Sequence, residues 1–129
     1  MQNLFDHYRT LTSESMPAAY KAAFQHFSSE LLDWNQKFNL TAIRTPEEIE
    51  SKHFMDALSL LPALQHYRVG SLIDIGTGAG FPGIPLKIVQ PDLHLVLVES
   101  VEKKAGFCRH IVSTLELADV EVVAERSEA

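Results

Sequence analysis

Apolar residues recur along this chain with two different periods. Tyr20, Phe24, Phe27, Leu31, Trp34 and Phe38 step by four, three, four, three and four residues, with Lys21, Gln25, Ser29, Asp33 and Gln36 on the opposite side. This is the stripe of a long amphipathic helix, read as packed on its own domain rather than on a partner. Before it, Leu4, Phe5, Tyr8 and Leu11 predict a short helix over 3–11. Ser15 is the expected cap of the long helix, with Pro17 in its first turn. Thr45-Pro46-Glu47-Glu48 reads as a capping box, opening a helix with Ile49, Phe54, Ala57, Leu58 and Leu61 inward and Pro62 at its end. Residues 65–70 read as a linker.

From residue 71 the apolar runs shorten. Residues 72–75, 93–98 and 120–124 predict strands, and 81–89 and 101–115 predict the helices between them. Strands alternating with helices make an α/β fold with a parallel sheet. The division expected is a helical N-terminal region over 1–66 and a sheet domain over 67–129. In the last helix Ala105, Phe107, Cys108, Ile111 and Leu115 face inward, Ser100 is the expected cap, and Lys103, Lys104 and Arg109 form a solvated face. Cys108 sits within the apolar pattern and has no activating partner nearby in sequence, so it reads as core filler rather than a nucleophile.

The first strand leads into chemistry. Asp74-Ile-Gly76-Thr-Gly78-Ala-Gly80 sets glycines at every second position, with an acid two residues before the first. Glycines there let a ligand lie on the backbone, and a helix start offers N–H groups to a carboxylate or phosphate. Nineteen residues beyond Gly80, the second strand ends at Glu99, a position suited to a ribose diol. A nucleoside-bearing cofactor is therefore expected. Gly78-x-Gly80-x-x-Gly83 also matches the dinucleotide fingerprint. Asp74 favours a methyl donor instead, because its carboxylate can meet a methionine amino group and gives nothing to a pyrophosphate. His53 and Asp56, three residues apart, share a helix face and read either as a surface pair near a helix kink or as a functional pair.

Composition narrows the setting. The 129 residues are 46% hydrophobic and 22% charged, as in a globular chain, and no apolar run is long enough to span a bilayer. The first residues carry neither a basic region nor an apolar signal core, and a lone cysteine rules out an internal disulfide or a cysteine-rich metal site. A cytoplasmic location without metal or membrane is expected. The net charge of −6 gives no general attraction to polyanions, so a nucleic-acid substrate requires local basic patches.

Three segments resemble one family. They are Trp34-Asn-Gln-Lys-Phe-Asn-Leu-Thr-Ala-Ile-Arg44, Lys52-His-Phe-Met-Asp-Ala-Leu58 and Asp74-Ile-Gly-Thr-Gly-Ala-Gly-Phe-Pro-Gly-Ile-Pro85. In this order they resemble the 16S ribosomal RNA guanine-N7 methyltransferases, also called glucose-inhibited division protein B. The resemblance implies a Rossmann-like class I methyltransferase fold with a helical N-terminal cap, S-adenosyl-L-methionine as cofactor, and the small ribosomal subunit as partner. It implies that Asp74, Gly76, Gly78 and Gly80 surround the methionine part of the cofactor, that Phe81 is also among the cofactor-binding residues, and that Glu99 takes the ribose hydroxyls. Ser127 and Glu128 would lie beside the adenine. Asn39, His53 and Asp56 match the rim of the active site, and Arg126 would serve RNA phosphate or structure. Family members continue through further strands of a seven-stranded sheet, so a sheet truncated after its third strand is expected here. Two other readings stand beside this one: a dinucleotide-binding oxidoreductase, and a non-catalytic truncated fragment.

Overall fold

A computed structural model describes residues 1–125 of the chain. Helix α1 is Gln2–Thr12 and α2 is Ala18–Phe38. Helix α3 runs in three joined segments, Pro46–Glu48, a π-helical Ile49–Met55 and Asp56–Leu58, followed by α4, Leu61–His66. Strands β1 (Ser71–Ile75), β2 (His94–Val98) and β3 (Val120–Val123) alternate with α5 (Gly83–Val89) and α6 (Glu102–Thr114).

The three strands form one parallel sheet in the order β1-β2-β3. Ile73 pairs with Val96 and Ile75 with Val98. Leu95 and Leu97 of β2 point into the core, where Ile84, Leu86, Phe107 and Ile111 of the crossover helices meet Phe24, Phe27 and Leu31 of α2 in one continuous apolar cluster. The helical stripe is thus spent within its own domain, chiefly against the crossover helices, with only Phe38 at its end left exposed. Ile73 and Ile75, on the other face, are 63% and 62% exposed. This is a Rossmann-like arrangement whose described sheet has helices on one face.

Several helix boundaries differ from the expectation. Ser15 does not cap α2: Pro17 stands at the N-cap position with extended geometry (ψ 147°), and Ser15 Oγ is taken by the Arg9 guanidinium. Ser100 does not cap α6, because Glu99 accepts the Val101 N–H at 2.9 Å instead. Helix α5 begins at Gly83 rather than residue 81, with Phe81 and Pro82 in the turn before it. Helical structure also continues to His66, into the stretch expected as linker, because Pro62 opens α4 instead of ending α3. The Thr45 cap does form, as half of the expected box: the Glu48 N–H donates to Thr45 Oγ1 at 3.2 Å, while Glu48 Oε1 accepts the Thr45 hydroxyl at 3.1 Å in place of the Thr45 N–H.

Lys87 lies on the buried side of α5. It is 2% exposed, and its ammonium donates to the carbonyls of Pro91 and, at 2.6 Å, Leu93. A charge this deep is tolerated only because the carbonyls of the turn before β2 converge on it.

Candidate active site

The glycine loop between β1 and α5 is folded around two acids. Asp74, buried near the end of β1, accepts the Thr77 hydroxyl at 2.7 Å and the Gly83 N–H at 2.9 Å, both on Oδ2. The second bond uses the amide at the start of α5, so this helix end meets the chain's own carboxylate, not a free ligand group as the sequence suggests. Oδ1 is left for another partner. Burial holds the Asp74 carboxyl above its ordinary range, the Thr77 and Gly83 donors pull it back, and Glu99 adds a smaller push upward.

Glu99 sits at the tip of β2 and is 5% exposed. Its Oε1 accepts the Gly78 N–H at 2.7 Å, while Oε2 accepts the Val101 N–H. The acid therefore ties the middle of the glycine loop to the start of α6. An ionised carboxylate offers about four acceptor sites, so these bonds leave capacity for hydroxyl donors.

The loop's glycines serve different ends. Gly78 has φ +64°, and a Cβ built there would meet nothing within 4 Å, so open space lies over the loop. Gly80 has φ +102°, and a Cβ there would come within 2.5 Å of Ile84 Cδ1, so this glycine allows the turn to close on α5. Beneath the loop, the Cys108 thiol points at the Gly78 carbonyl, 3.3 Å away. Burial, with Glu99 and Asp74 adding to it, pushes the thiol up to about 12, and the side chain is fully buried. Cys108 is core, in agreement with its place in the apolar pattern.

Phe81, directly after Gly80, connects the loop to the helical region. Its ring stacks on His53 with centroids 4.2 Å apart and on Phe27 at 5.2 Å, inclined 7° in each case. His53 lies in the π-helical segment, and its Nε2 is 3.2 Å from Thr41 Oγ1. Burial moves the imidazole below its ordinary value, and Asp56 offsets this only in part. His53, Asp56 and Phe81 line one cleft of about 330 Å³.

A family profile described as "GidB: rRNA small subunit methyltransferase G" matches residues 20–129. The chain belongs to this family. Among curated relatives in the GidB family, the protein named ribosomal RNA small subunit methyltransferase G from Roseiflexus castenholzii is 54% identical over 106 residues, covering 81% of this chain and 44% of the relative. That of Geotalea uraniireducens is 49% identical over 113 residues, covering 88% and 51%. The one from Xanthomonas euvesicatoria is 42% identical over 121 residues, covering 94% and 56%. The chain spans about half the length of these relatives.

In this GidB chain the loop residues Asp74, Gly76, Gly78 and Gly80 and the acid Glu99 come together, and Phe81 joins them to His53 and Asp56. Asn39 is not among the residues lining the cleft of His53, Asp56 and Phe81. It ends α2 in a left-handed conformation (φ 50°), and its side-chain oxygen accepts the Arg44 guanidinium at 3.0 Å. Arg126, Ser127 and Glu128 lie outside the described residues. Sequence reasoning passed over Thr41 and Asn35. The buried Asn35 accepts the Thr41 N–H at 2.8 Å, which holds the Thr41 hydroxyl against His53. Both residues stand in the Trp34–Arg44 run, so the signal was present without its geometry. Among the described residues, no three His, Cys, Asp or Glu side chains group as metal ligands, and no helix is long and apolar enough to cross a membrane.

Proposed function

We propose that this chain carries the cofactor-binding part of an enzyme that transfers a methyl group from S-adenosyl-L-methionine to N7 of a guanine in 16S ribosomal RNA. The observation that carries this reading is the glycine loop held between Asp74 and Glu99 in a chain of the GidB family. The fit is supported by open space above Gly76 and Gly78, where added Cβ atoms would meet nothing within 4 Å, and by the uncommitted Oδ1 of Asp74. Asp74, Gly76, Gly78, Gly80 and Phe81 would hold the methionine part and Glu99 the ribose, with Ser127 and Glu128 beside the adenine. The bound cofactor supplies an electrophilic methyl group on a sulfonium.

Guanine N7 carries a lone pair and no proton, so no general base is required. The protein's task is to align N7 with the methyl group and to exclude water. Accordingly, His53 is held by ring stacking and by Thr41, in surroundings that favour the neutral imidazole. Asn39, His53, Asp56 and Arg126 are assigned to the rim that receives the RNA. Action on ribosomal RNA places the enzyme in the cytoplasm, with the small ribosomal subunit as partner. Because the chain is acidic overall, RNA phosphates would be met by local basic groups such as Lys52, Lys103 and Lys104.

Calorimetry tests the cofactor. S-adenosylhomocysteine is expected to bind this chain, and NADH is not. Binding of NADH without binding of S-adenosylhomocysteine would overturn the reading in favour of a dinucleotide enzyme.

A further inference from the structure

Phe27, Phe81 and His53 form a column of three near-parallel rings. Phe27 is fully buried, while Phe81 and His53 are half-buried, so the column runs from the core to the surface. It reaches the cleft lined by Lys52, His53, Asp56, Ser59, Phe81 and Pro82. Thr41 lies within hydrogen-bond distance of the His53 ring and Phe27 stacks on Phe81, so each half-buried ring of the wall has a supporting contact. Unstacked RNA bases are held on such walls, including those of histidine, and are read along their Watson–Crick edges.

The polar groups of the cleft are unequal. Lys52 is already paired with Glu48 at 3.3 Å. The exposed Asp56 carboxylate makes no hydrogen bond or ion pair among the described residues. A carboxylate is an acceptor with two oxygens, suited to two adjacent donors. Guanine alone among the RNA bases offers them on the Watson–Crick edge, as N1–H and the N2 amino group. Adenine and cytosine set a ring acceptor beside their amino group, and uracil sets one N–H between two carbonyls.

We infer that this cleft seats the guanine to be methylated and that Asp56 selects it by accepting its N1–H and N2–H donors. The inference rests on the function proposed above and adds the residue that chooses the base. The chemistry agrees with it: N7 lies on the purine edge opposite N1 and N2, so recognition by Asp56 leaves the nucleophile uncovered. The cleft and the glycine loop share Phe81, which puts base and methyl donor on adjoining surfaces.

The test is a titration of the isotope-labelled chain, saturated with S-adenosylhomocysteine, with guanosine, inosine and adenosine 5′-monophosphates, followed by nuclear magnetic resonance. The guanine nucleotide is expected to shift the His53 ring and Asp56 signals and to bind about tenfold more tightly than the adenine nucleotide, in line with a good bidentate contact. Inosine monophosphate, which lacks the N2 amino group, is expected between them. Asp56→Asn should bring the guanine and adenine nucleotides to within about twofold of each other while S-adenosylhomocysteine affinity is retained. Equal binding of guanine and adenine nucleotides by the wild type, no response at millimolar guanine nucleotide, or shifts remote from His53 and Asp56 would each overturn the inference. Failure of S-adenosylhomocysteine to bind, read before any nucleotide is added, would instead remove the function on which it rests.

Discussion

Glu99 joins two backbone segments that its sequence position gives no hint of joining. From its position at a strand tip Glu99 is expected to face the ribose of a ligand. Here both oxygens accept backbone amides, from Gly78 and Val101, in a buried setting. Glu99→Ala strands both donors, so it is expected to destabilise the ligand-free chain by on the order of 1–3 kcal/mol. A urea unfolding series on the ligand-free protein measures this. A midpoint equal to that of the wild type would show that the two bonds contribute nothing net. The sequence marks Glu99 as a site residue from its spacing, but not as a structural one, because its amide partners depend on how the loop closes.

Helix α3 is the element where sequence reading and structure diverge most. Its cap at Thr45 and inward residues Ile49, Phe54, Ala57 and Leu58 are legible, and these four are buried, whereas Leu61, expected on the same face, is buried as the first residue of α4. The π-helical Ile49–Met55 segment is not legible, because no side-chain period distinguishes one wide turn from an α-helix with a kink. That segment carries His53, Lys52 and the buried Glu50, whose carboxylate accepts the Leu4 N–H at 2.9 Å and so fixes the start of α1. The glycine loop, by contrast, is legible almost residue by residue, since left-handed backbone and close approach leave few alternatives to glycine.

The same segment makes stability depend on pH. His53 has its folded-state value lowered from an ordinary value near 6.5, chiefly by burial. The unfolded chain therefore takes up the proton first. This contribution is fully present above pH 6.5 and is lost as pH falls through the lower folded-state value. Thermal melts between pH 7.5 and 5 are expected to fall more steeply for the wild type than for His53→Gln. Parallel curves would assign the acid sensitivity to other groups.

For the molecule as a whole, the sheet is one-sided among the described residues. Leu95 and Leu97 are fully covered by helices, whereas Ile73 and Ile75 are mostly exposed beside the half-buried Val96 and Val98. Clustered branched aliphatic side chains on a bare sheet face are an apolar patch of the kind that recruits other apolar surfaces. The folded chain at neutral pH is expected to enhance the fluorescence of an anilinonaphthalene sulfonate dye. The double variant Ile73→Thr, Ile75→Thr should lose roughly half or more of that signal without losing helix content, since about two side chains' worth of apolar area is removed. A signal unchanged in this variant would locate the apolar surface elsewhere.

The buried ammonium of Lys87 also gives the chain a built-in counter of open molecules. Amine-reactive reagents can reach Lys37, Lys52 and Lys103, which stand in solvent, at any moment. Lys87 becomes reactive only when α5 and the turn at Pro91 separate, because both hold its Nζ out of reach. In a short labelling pulse read by peptide mass, the modified fraction at Lys87 measures how often the core opens, with the solvent-facing lysines of the same molecule as internal standard. A cofactor that closes the glycine loop onto α5 would slow the mark at Lys87 and leave the others untouched. Ligand binding is then weighed in a crude mixture, on protein carrying no prior tag, without a signal from the ligand itself.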